Sequence, residues 1–449
     1  MKKSFLIIFS IFLLFSCSKA EKPLSTASVN NGGVEVSEYR LKNDIPVYIA
    51  DKVPNDVCAV FILFEGGTRL SSYEESGLEN ATLELMSRST ENLSYQDLQS
   101  LMYTNQSSIS HYTMYCGSAY YLSCINYYLD DMLDVFLSSL IEISDSSFED
   151  IYREEQQKIT SMQNNPQSIL FHDIHKRVYD GTSLLASSSV QPESLSNITF
   201  ENIERCHKAL LNSKRMKVVA VGKINKNKFL KKLNNILGKF EGEEIPPVNK
   251  NEKLNLTDEK ITLTHKDARG SEIIVRVFES PKVTSPDYIT GRLTEDIFTT
   301  TMFNIIREKY GACYSPGTEI DSSDLAVGLD YGLRVSDMKN FPKYLEECQT
   351  LMLDGRVISS VDGDQTTYDT IENVLEGTKN SYITQKYMSQ ATSSGIASRL
   401  AASLLQFGDL TTADEMMQKV ESVTADDIKA CFKKYWIDGK SQWFEMRGE

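Results

Sequence analysis

ITFENIERCHK at 198–208 returns as VTADDIKACFK at 423–433, with Thr199/Thr424, Ile203/Ile428, Cys206/Cys431 and Lys208/Lys433 identical. Each copy opens on a threonine, whose hydroxyl can accept from the free amides of a first helical turn, and continues with amphipathic spacing. Each then runs into a hydrophobic strand, KVVAVG at 217–222 in the first copy and QWFEMR at 442–447 in the second. A repeat spaced at about half the chain points to two similar α+β domains; a solenoid would need more and shorter repeats. Between the copies, residues 241–255, EGEEIPPVNKNEKLN, are charged, carry Pro246-Pro247 and follow neither the helical nor the strand period. That composition reads as a linker. The expected division is a first domain at 34–240, a linker at 241–258 and a second domain at 259–449. Strand patterns fall at 57–64, 216–221 and 272–278, and helical spacing at 129–141, 148–162 and 341–353.

Further out, at the N-terminus, Lys2 and Lys3 precede an apolar run that ends in Leu14-Phe15-Ser16-Cys17. The run is shorter than the ~20 residues of a membrane span, so it reads as an export signal, 1–16. Leu-Phe-Ser-Cys resembles the lipobox of bacterial lipoproteins. This implies cleavage before Cys17, acylation of that cysteine, and a tether at 17–33. Ser18 fits passage to the outer membrane, with the folded part facing the periplasm or the cell surface. Loss of Lys2 and Lys3 takes the formal charge from −15 to −17. So acidic a chain argues against nucleic acid and against an anionic lipid face as partner. The other seven cysteines, Cys58, Cys116, Cys124, Cys206, Cys313, Cys348 and Cys431, have no zinc-knuckle spacing. They read as scattered core thiols, with a Cys116–Cys124 bridge as the alternative.

The order YRLKNDIPVYIADK (39–52), VFILFEGGTRL (60–70) and GLENATLELMS (77–87), followed by Asn165-Pro166 and REKYGACY (307–314), resembles the insulinase/pitrilysin family of zinc metallopeptidases. The resemblance covers nearly the whole mature chain and implies paired α+β domains that close as a clamshell around an unfolded peptide. In that family a helix carries H-x-x-E-H: two histidines one turn apart hold Zn²⁺, and the glutamate activates the metal-bound water. Setting Glu84 on the catalytic glutamate puts Ala81 and Leu85 where the histidines should be, and neither can bind a metal. The third ligand position falls on Glu154 or its neighbour Glu155. Leu78, Ala81, Leu85 and Met86 form an apolar stripe, and Glu84 is spaced to pair with Arg88. Of the five histidines, His111, His172, His175, His207 and His265, only His172 and His175 share a helical face. No acidic or cysteine ligands with a recognisable spacing follow them, and a solvated or capping role is expected.

Arg307 and Tyr314 match the pair with which active relatives grip the substrate backbone near the scissile carbonyl. A guanidinium and a phenol can both donate to an oxygen on which negative charge develops. Lost histidines beside a retained clamp imply a noncatalytic subunit that binds peptide or unfolded protein as an added strand. Such a subunit holds no metal itself and completes the active site of a separate, zinc-bearing family member. A peptide-binding or scaffold lipoprotein of the envelope is the alternative reading, and an autonomous zinc peptidase is the one the sequence opposes most directly.

Overall fold

The computed structural model describes residues 27–449 apart from 32, 54, 89, 91, 250, 251, 323, 324 and 364; the export signal and Cys17 lie outside them. The first domain carries strands β1 (Ala27–Asn31), β2 (Val34–Arg40), β3 (Pro46–Ala50), β4 (Val57–Glu65), β5 (Ser108–Thr113), β6 (Gly117–Ile125) and β7 (Met216–Val221). Its helices are α1 (Leu78–Arg88), α2 (Tyr95–Thr104), α3 (Leu129–Ile141), α4 (Phe148–Gln163), α5 (Pro166–Val178), α6 (Phe200–Leu210) and α7 (Lys226–Ile236). The second domain has β8 (Ile261–Thr264), β9 (Glu272–Glu279), β10 (Cys313–Ile320), β11 (Val327–Val335), a hairpin of β12 (Arg356–Asp362) and β13 (Gln365–Thr370), and β14 (Ser441–Arg447). Its helices are α8 (Tyr288–Met302), α9 (Phe341–Leu353), α10 (Ile371–Ser389), α11 (Ser393–Gln406), α12 (Thr412–Gln418) and α13 (Ala425–Phe432).

The duplication is built into the sheets. The first runs β1-β2-β3-β7-β4-β6-β5, and the second, read from its far edge, runs β8-β14-β9-β11-β10. Strand for strand, the second repeats β3 to β5 of the first, down to one parallel pair in the same place, β3 with β7 and β8 with β14. The repeated motif forms α6 and α13, each just before the strand that enters the middle of its sheet. Thr199 accepts from the Asn202 amide and Thr424 from the Asp427 amide, so the two caps are equivalent.

Both faces of the central strands are covered, which is why β4 reads as an unbroken hydrophobic run, VCAVFILFE. Cys58, Val60, Ile62 and Phe64 point into the core beneath the first domain's own helices. Ala59, Phe61 and Leu63 point the other way, against Ile396, Ala397, Leu400 and Leu404 of α11, a helix of the second domain. The exchange is reciprocal: Leu170, Ile174 and Val178 of α5 pack on Ile273, Val275, Val277, Phe444 and Met446 of the second sheet. The domains thus close on one another, each supplying the helix that covers the other's sheet. At about 1.5–3 kcal/mol per buried Leu or Ile, Ile396, Leu400 and Leu404 alone contribute several kcal/mol to that closure.

Within 241–255 the described residues form no helix or strand, yet the segment is fastened down. Arg69 donates to the Pro246 carbonyl at 2.6 Å, and Glu252 accepts from the amide and hydroxyl of Ser183, both at 2.8 Å. Leu254 and Leu256 enter the cluster between the domains. In the stretch expected to be tether, residues 27–31 pair antiparallel with β2. Cys116 precedes β6 and Cys124 lies near its far end, about 26 Å apart at strand rise, too far for a disulfide. No disulfide joins any of the seven cysteines. Among the described residues, no helix is long and apolar enough to cross a membrane.

Candidate functional site

Helix α1 starts at a tight crossing. Gly77 has φ +79°, and a Cβ there would meet the Val190 backbone at 2.4 Å. From this start α1 packs in two directions, Leu83 and Met86 toward the sheet and Leu78, Ala81 and Leu85 toward Ile151 and Ile159 of α4 and Ile203 of α6. Ala81 and Leu85 are both buried in that apolar cluster. The positions that the resemblance sets against two histidines are thus filled hydrocarbon, which favours the fold and offers no lone pair.

The polar flank of α1 carries the rest. The Arg88 guanidinium donates to Glu84 Oε1 at 2.6 Å through Nε, and to both oxygens of Glu154 on α4 at 3.0 and 2.6 Å. Its side chain is only 13% exposed. His111 on β5 places Nε2 3.4 Å from Glu84 Oε2. The carboxylates matched to the family's catalytic and third-ligand positions are therefore bridged by one organic cation. Glu155, the other candidate, pairs instead with Lys158 at 2.6 Å. Hydrogen bonds donated by Arg88 hold the Glu154 carboxyl below its usual range, and the same bonds, accepted by Glu154 and Glu84, raise Arg88 despite its burial. Burial lowers His111, with the Glu84 charge opposing.

Zinc does not fit these residues. Two nitrogen donors are missing, and the guanidinium already occupies Glu84 Oε1 and both Glu154 oxygens. Among the described residues no cluster of three or more His, Cys, Asp or Glu could hold a metal elsewhere. His172 and His175 turn out to be fasteners more than solvated residues. His172 Nδ1 lies 3.0 Å from Gln191 Oε1 and His175 Nε2 2.9 Å from the Leu185 carbonyl, so both tie α5 to the 185–191 loop. His207 does the same to the Leu140 carbonyl at 2.8 Å. No local pattern marks His111, which reaches Glu84 only because β5 runs beside α1. Nor does any mark the buried pair of Glu79 and Arg215 at 3.0 Å, which locks the root of α1 to the start of β7.

In the second domain α8 ends in a π-helical turn, Phe303–Lys309, anchored by buried Ile305 and Ile306. The turn swings Arg307 out toward β10. Its guanidinium lies 4.7 Å from the ring centroids of both Phe303 and Tyr314, and Nη1 donates to the Tyr314 carbonyl at 3.2 Å. Tyr314 is 57% exposed, and its hydroxyl has no hydrogen-bond partner among the described residues. Arg307 and Tyr314, the pair the resemblance singled out, therefore meet, with the phenol free to donate. Tyr314 and Ser315 face Asn165, Pro166 and Gln167, at the junction of α4 and α5, across a cleft of about 480 Å³. Among the described residues, no bond joins Arg307 or Tyr314 to Glu84 or Glu154.

Two α+β domains of one topology, each closed over the other's sheet by a helix, define a paired-domain, peptidase-like chain. A family model described as Insulinase (Peptidase family M16) matches residues 47–192, and one described as Peptidase M16 inactive domain matches 197–350. The chain belongs to the insulinase family, peptidase family M16. Among solved structures it is similar to a protease from Helicobacter pylori, with TM-score 0.79 at 16% identity over 92% of this chain and 99% of that one. A peptidase M16 inactive domain from Pseudomonas fluorescens gives 0.78 at 13% identity, over 92% and 98%. The periplasmic protease PqqL of Escherichia coli gives 0.75 at 12% identity, over 100% of this chain but 49% of PqqL. None of the curated protein sequences compared with the chain matches it.

Proposed function

We propose that this protein is a noncatalytic subunit of an insulinase-family zinc peptidase, lipid-anchored through Cys17 in the cell envelope, binding peptide or unfolded protein and contributing Arg307 and Tyr314 to a zinc-bearing partner's active site. One contrast carries the reading: Arg88 and the apolar filling at Ala81 and Leu85 occupy the metal helix, while Arg307 and Tyr314 remain together and open to solvent. Substrate would lie as an extended segment along the second domain. Arg307 and Tyr314 would donate to the carbonyl oxygen under attack, stabilising the charge that builds there, and the partner would supply metal, water and base. Arg307 now spends one N–H on the Tyr314 carbonyl, so engaging substrate exchanges that bond for one to the peptide.

The test is co-purification from solubilised membranes followed by reconstitution. A chain bearing H-x-x-E-H should accompany this one, and the pair should cleave unfolded peptides. Replacing Arg307 and Tyr314 together by Ala should lower kcat by about 100-fold or more, the scale of losing a donor to a developing oxyanion. Unchanged activity of the reconstituted double variant sinks the reading. Peptide binding by the isolated protein with no such partner present would favour a scaffold or binding lipoprotein instead.

A further inference from the structure

The strand beside Tyr314 holds a residue the proposed clamp has not used. Arg334 on β11 has φ +55°, a left-handed conformation costly to any residue with a Cβ other than Asn or Asp. It sits at a β-bulge, where pairing with β9 slips between Leu333 and Val335. Bulges of this kind bend the strand and re-aim a side chain. Here the guanidinium is brought over the Tyr314 ring, 5.4 Å from its centroid, with Arg307 4.7 Å from the same centroid.

The charges around that ring do not balance. Arg307 is offset by Glu308, 3.2 Å from its Nε. Arg334 is exposed and has no carboxylate partner among the described residues. It lines the cleft with Tyr314, Ser315, Asn165 and Gln167; the one acid there, Asp267, forms no ion pair with it. Two guanidiniums near one ring repel, and an unsatisfied planar fork beside a substrate cleft is suited to accept a carboxylate in bidentate fashion.

Resting on the reading that the chain binds peptides, we propose that Arg334 is a specificity-determining arm of the clamp. It binds a carboxylate of the peptide, either its C-terminus or an acidic side chain, beside the residue gripped by Arg307 and Tyr314. The strained bulge is kept because it points the fork into the cleft.

Fluorescence anisotropy on the full chain tests this with three labelled forms of one unfolded neutral peptide: amidated, with a free C-terminal carboxylate, and amidated with an internal aspartate. At least one carboxylate form should bind about tenfold tighter than the neutral one, the size of a single charge-assisted contact, and the gain should shrink with salt. Which form gains identifies the source of the carboxylate. Arg334→Gln should erase the difference between the carboxylate forms and the neutral peptide. Arg334→Gly should do the same at an equal or higher Tm, because glycine takes φ +55° without strain; a residue kept only for structure would lose stability. Equal binding of all three forms by the unmodified protein overturns the inference while peptide binding stands. So does a preference that survives both substitutions. Failure of every form to bind overturns the inference and the peptide-binding reading together.

Discussion

Replacing Arg88 by Met keeps the length and apolar stem of the side chain and removes the cation that joins α1 to α4. Glu84 and Glu154 would then face one another without it, with His111 beside Glu84 held toward its neutral form by burial. Exposed ion pairs contribute about 0.2–1 kcal/mol, and breaking a buried one costs about 3–5 kcal/mol. Arg88 is 13% exposed, whereas Glu84 and Glu154 are 32% and 46% exposed, so the cost belongs between these limits, about 2 kcal/mol. Taking about 2.1 cal/mol/K of unfolding entropy per residue over a chain of this length, that loss lowers Tm by about 2 °C.

The pH dependence separates an ionic bridge from simple packing. Glu154 has its carboxyl lowered in the folded state, chiefly by hydrogen bonds from Arg88. The stability this contributes is present above the unfolded carboxylate pKa, about 4.3, and is lost as pH falls through the lower folded value. Calorimetry or urea unfolding at pH 7 and in the acid range should therefore show a gap between parent and Arg88→Met that closes in acid. A gap that is absent at pH 7, or that widens in acid, refutes the bridge.

The helix exchange predicts that Leu400→Ala, in the middle of α11, costs about 2–5 kcal/mol although it lies in a different domain from the sheet it covers. Limited proteolysis should then cut first within 241–255, and a variant as resistant as the parent would contradict the weld. On the proposed lipid anchoring and pairing, Cys17→Ser should weaken recovery of a zinc-bearing partner from cells, since a shared membrane raises local concentration. Unchanged recovery would separate the anchor from the pairing.

Much of this architecture was legible because its signals are local. The spacing at 129–141 and 341–353 gives α3 and α9 with the same ends as observed, and 148–162 falls one residue short of α4. Threonine caps and the strands behind them placed α6, α13, β7 and β14 as duplicates. The Glu84–Arg88 spacing of one helical turn likewise showed in the sequence. What did not show depends on partners far along the chain. The apolar stripe of α11 says that the helix is covered, but the strand that covers it, β4, lies more than 300 residues earlier. Glu154 and His111 meet the same cluster from α4 and β5, so no single window holds them together. The bend at Arg334 is a property of β11 pairing, since arginine carries no signal for a left-handed residue.

The decisive measurement is the zinc content of the purified chain together with its cleavage of an unfolded quenched-fluorescence peptide, with and without a metal chelator. Because Ala81 and Leu85 offer no donors and Arg88 takes both carboxylates, the account predicts far less than one zinc per chain and no chelator-sensitive cleavage by the chain alone. One zinc per chain with chelator-sensitive cleavage would show that a metal site exists and that the chain is a peptidase in its own right.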